Sequence, residues 1–132
     1  MSNQKPSLYS PLVLAYIGDG VYELFVRNKI VEEHPDMQPN KLHLLSIAHV
    51  KASAQSYSMT FIEPLLNDDE LAIYKRGRNA KSSTVPKNAD VAEYRRATGF
   101  EALIGYLYLK KNNERLSELM EIAYNSTTQA TN

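Results

Sequence analysis

The chain has 132 residues, which by length is one domain, and 43% of them are apolar, enough for a real core. Lys plus Arg and Asp plus Glu both number 15, so net charge is zero and global charge points to no partner; any basic surface must be local. With no cysteine there is no disulfide and no thiolate metal site, in keeping with a reducing cytoplasm.

The N-terminus "MSNQKPSLYS" has no signal-peptide pattern. Ser10-Pro11 reads as a helix cap followed by proline at the first helical position. The spacing predicts a helix from there to about Glu33, stopped by "HPD". Its apolar run, Leu12 to Val31, contains Asp19, Glu23, Arg27 and Lys29, so it is not a membrane span. Pro39-Asn40 opens a second helical region, Lys41 to about Met59, with an expected break near Val50 where "KASAQS" thins the apolar pattern. Glu63-Pro64 ends it. Asn67 or Asp68 caps a third helix, "DDELAIYKRGR", acidic in its first turn and basic in its last, as the helix dipole favours. "GRNAKSSTVPKNAD" reads as a loop. A long helix follows from about Asp90 to Lys111, and a last one from roughly Glu114 to Tyr124. The tail over 126–132 is polar and expected to be disordered, leaving 1–125 as the domain. No strand alternation and no repeat is present, so the fold class is all-α.

Two helices carry an oddity. In the first, Leu14, Ile17, Val21, Leu24 and Asn28 share one face, read as ordinary core. A second stripe, Leu12, Tyr16, Asp19, Glu23, Val26 and Ile30, has apolar ends and two carboxylates in the middle. In the long late helix Phe100, Leu103 and Leu107 form one face, while Ala97, Glu101, Gly105 and Tyr108 form another, again with a carboxylate among small or apolar groups. Gly18 and Gly20 each weaken a helix by roughly 1 kcal/mol relative to alanine, so something must require them. Small residues at Ala15, Gly18, Gly20, Ala97 and Gly105 allow a close crossing, which is expected to bring Asp19 and Glu101 together. Two carboxylates in a partly buried crossing need protonation, a basic partner or a metal ion. Oxygen donors without His or Cys suit Mg²⁺ or Mn²⁺. The alternative at this point is that both acids are solvated or paired with Arg27, Arg95 or Arg96.

The segment from Tyr74 to Phe100 concentrates Lys75, Arg76, Arg78, Lys81, Lys87, Arg95 and Arg96 against Asp90 and Glu93, a local basic excess suited to phosphate contacts. Asn79, Ser82 and Ser83 add neutral donors. The alternative is a solvated loop. No P-loop or nucleophile elbow occurs, and His34, His43 and His49 lack helical metal-ligand spacing.

"YIGDGVYELFVR" resembles the signature "LGDAVLE" of ribonuclease III catalytic domains, and "ATGFEALIGYLYL" resembles that family's second block. With "KRGRNAKS" and "YRRATGFEA", the chain is similar to the mini-ribonuclease III group over roughly residues 9 to 124. That group consists of the catalytic domain without an appended double-stranded-RNA-binding domain. The resemblance implies an all-helical, homodimeric, cytoplasmic endonuclease that cuts double-stranded RNA with Mg²⁺, Mn²⁺ being a possible substitute. It also implies maturation of the 23S ribosomal RNA precursor. Asp19 and Glu101 match two of the four family acids and are the implied catalytic and metal-binding pair; Ala15 and Thr98 stand where the other two would be. Thr98 and Glu23 are supporting candidates, Glu23 with pairing to a base as its alternative. The implied RNA-binding set is Arg76, Arg78, Asn79, Lys81, Ser82, Lys87, Arg95 and Arg96. Against the nuclease stand a non-catalytic double-stranded-RNA-binding dimer, in which the missing acids mean missing catalysis, and a helical scaffold.

Overall fold

The computed structural model describes residues 4–81 and 85–131. Every regular element in them is helical: α1 (Pro11–Glu33), α2 (Pro39–Val50), α3 (Ala52–Ile62), α4 (Asp68–Asn79), α5 (Val91–Leu109) and α6 (Asn113–Thr131), with short 3₁₀ turns at Pro6–Leu8 and Glu63–Leu65.

The local signals act as expected. Ser10 Oγ accepts from the Val13 amide at 3.2 Å, and Pro11 sits where no amide is needed. Asn67 and Glu70 form a reciprocal capping box: the Glu70 amide donates to Asn67 Oδ1 at 2.9 Å and the Asn67 amide to Glu70 Oε1 at 3.0 Å. Asp90 caps α5 through the Glu93 amide at 2.9 Å. The break near Val50 is one extended residue, Lys51, between α2 and α3.

Helix α5 is the axis of the molecule, packed by α1, α4, α3 and α6. Phe100, Leu103 and Leu107 are fully buried, as their stripe predicts, with Ala102 and Ile104 beside them. Its crossing with α1 is close because both helices present glycine. A Cβ on Gly18 would lie 1.8 Å from the Glu101 carbonyl oxygen, and one on Gly105 would lie 2.0 Å from that of Leu14. Gly20 differs: a Cβ there would have nothing within 4 Å, so this glycine faces open space rather than a neighbouring helix.

This crossing also corrects the core face of α1. Leu14 is buried, but Ile17 and Val21 are only half-buried, and Leu24 and Asn28 are exposed. The buried face is Leu14, Ala15, Gly18, Tyr22, Val26 and Ile30. Apolar residues fall on every side of α1, so hydrophobicity alone does not orient it; the small residues do, because only they let α5 approach.

The disordered tail is corrected as well. Helix α6 runs on to Thr131, and Ser126 and Thr127 are buried. Their hydroxyls donate to the Ala123 carbonyl at 2.9 Å each, which lets polar side chains enter the interior. Thr127 Oγ1 is 2.6 Å from His49 Nδ1, and the His49 ring stacks on Tyr124. Polarity alone therefore misled: these hydroxyls find partners inside.

Candidate active site

Gly18 brings Asp19 on α1 beside Glu101 on α5. Glu101 is half-buried and Asp19 sits exposed at the rim. Burial, then the charge of Asp19, then a hydrogen bond to Asp19 push the Glu101 carboxyl up to about 8. At neutral pH Glu101 thus holds a proton unless a cation replaces it. The two acids do converge, as their stripes predict.

From α3, Gln55 Nε2 reaches Glu101 Oε2 at 3.4 Å and the Val50 carbonyl at 3.0 Å. The spacing of "KASAQS" did not single out this residue; its only signal was an amide on the face of α3 that also carries Met59 and Ile62. Ala15 is buried and supplies no donor. Thr98 Oγ1 donates back to the Tyr94 carbonyl at 3.0 Å, and its side chain lines a notch of about 300 Å³ with Lys81, Tyr94 and Arg95. Glu23 pairs with Arg27, a base on its own helix, at 3.0 Å.

The donor set fits a hard divalent cation. The pair holds two oxygen-only ligands, neither in an ion pair with a base among the described residues, and a cation removes the cost of their repulsion. Among the described residues no three His, Cys, Asp or Glu side chains cluster as a metal site, so further ligands would come from water or substrate.

The basic set divides. Arg76 is engaged at home, donating to the carbonyls of Ser7 at 2.8 Å and Tyr9 at 3.2 Å, which straps the N-terminal segment onto α4. Arg78 donates to Asn79 Oδ1 at 3.2 Å and lies over the Tyr74 ring. Arg96 Nε donates to Ser56 Oγ at 2.6 Å. Lys81, Lys87 and Arg95 are exposed. Ser82 lies outside the described residues.

Beside Asp19 runs an open apolar groove of about 680 Å³, lined by Tyr16, Ile17, Val21, Leu24, Phe25 and Tyr108 among others. Tyr16 is 80% exposed and Leu24 61%. These side chains leave apolar surface open to solvent beside the site.

The family profile described as "Ribonuclease III domain" matches residues 12–112, which include nearly all of α1, both site acids and all of α5. The chain belongs to the ribonuclease III family. It is 53% identical over 116 residues to the Mini-ribonuclease 3 of Clostridium tetani, covering 88% of this chain and 77% of that one. It is 51% identical over 114 residues to the Mini-ribonuclease 3 of Thermoanaerobacter sp., covering 86% and 80%. Among solved structures, protein FN1578 from Fusobacterium nucleatum superposes with a TM-score of 0.80 at 33% identity, covering 89% of this chain and 93% of that one. This ribonuclease III-family chain is accordingly an endoribonuclease with that family's all-helical fold. Among its described residues no helix is long and apolar enough to cross a membrane.

Proposed function

We propose that the chain is a Mg²⁺-dependent endonuclease of double-stranded RNA that works as a homodimer in the cytoplasm, with the 23S ribosomal RNA precursor as its natural substrate. The observation that carries this reading is the meeting of Asp19 and Glu101 at the rim of an open groove. Two carboxylates forced together, one of them half-buried, make a poor structural feature and a good cation cradle. A bound divalent cation supplies Lewis-acid stabilisation of the scissile phosphate and activates water. The chain's own residues do the rest: Asp19 and Glu101 hold the cation, and the exposed cations Lys81, Lys87 and Arg95 take RNA phosphates. A-form RNA is gripped mainly through phosphates, shape and 2′-hydroxyls, so charge outweighs base-edge contacts here.

The apolar groove beside Asp19 supports the homodimer. A twofold axis through this face would join two sites, one for each strand of a duplex. The 23S substrate is supported by likeness to the mini-ribonuclease III group.

The test is cleavage of duplex RNA and of a 23S precursor by the purified chain with Mg²⁺ or Mn²⁺, repeated with Asp19→Asn and Glu101→Gln. Loss of cleavage by more than about 10²-fold in both variants is expected. Undiminished cleavage by either rejects its role. Salt-sensitive RNA binding with no cation-dependent product would establish the non-catalytic dimer instead.

A further inference from the structure

Gln55 is only 2% exposed, yet it is polar. Burying an amide without partners costs about 1–3 kcal/mol, so its surroundings have to satisfy it. They do so in a directional way. Helix α2 ends at Val50 and the chain turns at the extended residue Lys51. The amides of Ala54 and Gln55 both turn to the Lys51 carbonyl, at 3.0 and 3.1 Å, leaving the Val50 carbonyl without a donor from its own helix. Gln55 Nε2 fills that place at 3.0 Å. A carbonyl only accepts, so this contact settles which end of the amide is nitrogen. The same nitrogen, with its second hydrogen, faces Glu101 Oε2 at 3.4 Å.

We propose that Gln55 is a positioning residue: anchored on the carbonyl freed by the α2–α3 break, it holds the Glu101 carboxylate in the orientation that shares a divalent cation with Asp19. This rests on the reading of the Asp19–Glu101 pair given above. The donor matches an ionised acceptor, and bonds of this kind are often long in a free site and tighten when it is loaded. The geometry is selective for glutamine. Glutamate would set a third carboxylate against Glu101 and an oxygen against Val50. Methionine has the length but no donor. Asparagine has the donor but lacks the reach.

The test is Mn²⁺ binding to the full chain without RNA, by calorimetry or electron paramagnetic resonance, for Gln55→Met, Gln55→Asn and Glu101→Gln beside the parent. Circular dichroism and a cooperative melt establish that each is folded. Weaker Mn²⁺ binding by roughly 10- to 100-fold in both Gln55 variants is expected, the range typical for groups that orient a metal ligand. A folded Gln55 variant that melts earlier but binds Mn²⁺ within about twofold of the parent overturns the proposal, since a purely structural role would do that. If Glu101→Gln also binds and cleaves like the parent, the acid-pair reading fails too. If Glu101→Gln loses the ion while the Gln55 variants keep it, only the role of Gln55 falls.

Discussion

Gly18 stands against the main-chain carbonyl of Glu101, so closely that a methyl group there would lie 1.8 Å from the oxygen. The site acids meet because of this contact, and the contact makes a prediction. Gly18→Ala forces two helix backbones apart and is expected to destabilise the fold by about 3 kcal/mol or more, with loss of cleavage. Gly20→Ala, where nothing lies within 4 Å, is expected to gain up to about 1 kcal/mol from helix propensity. Urea midpoints of the two variants should therefore move in opposite directions. Equal losses would show that the α1–α5 crossing is looser than described.

Glu101 sets a pH dependence. Its carboxyl is pushed up to about 8, so between the ordinary carboxylate value and that pH the folded chain holds a proton the unfolded chain has released. The unfolded state then binds fewer protons, and stability must fall as pH rises through this window. The loss is up to about 5 kcal/mol if the whole shift is expressed. Denaturation in EDTA at pH 5 and at pH 8 should show it. Mg²⁺ should restore stability at the higher pH, and Glu101→Gln should flatten the profile. A flat profile in the parent would mean that burial and Asp19 together do not raise the Glu101 carboxyl.

Glu70 combines two duties that separate by mutation. It completes the α4 capping box, and it accepts from Arg115 Nε and Nη2 at 2.8 Å each. Arg115 holds its carboxyl below the usual range, so the stability it contributes is present at neutral pH and lost as pH falls through that lowered value. Glu70→Gln keeps the cap but removes the charge, at an expected cost of about 2 kcal/mol; Glu70→Ala removes both, at about 3 kcal/mol. Thermal melts of both variants check the order.

The basic residues should sort by what they already touch. Arg76→Ala is expected to lower stability by about 1 kcal/mol through release of the Ser7–Tyr9 strap, with little change in RNA affinity. Lys81→Ala and Arg95→Ala should leave the melt alone and weaken duplex binding. Each should reduce the salt dependence by about one phosphate contact. Gel shifts over a salt series measure this, and the reverse pattern would relocate the RNA.

The apolar groove predicts the oligomer. Leu24→Arg places a charge on an exposed position, so the isolated fold should tolerate it. A shift to monomer in sedimentation, with cleavage reduced at least about tenfold, is expected. An unchanged dimer would place the interface elsewhere.

Much of this molecule is local and therefore written in the chain. Ser10-Pro11, the Asn67–Glu70 box and Asp90 start their helices through bonds that span only a few residues. Asp19 and Glu101 stand out because a carboxylate in an apolar stripe must be compensated by something. Other features depended on what lay across the interface. The buried face of α1 follows its glycine and alanine rather than its leucines, because the closest approach of α5 decides which face is covered. Ser126 and Thr127 enter the interior because Ala123 and His49 bond their hydroxyls. Arg76 is tied to the carbonyls of Ser7 and Tyr9, and Gln55 reaches Glu101, across 69, 67 and 46 positions of chain. Local bonding can be read in order along a sequence; which distant groups become neighbours is set only when the helices close on one another.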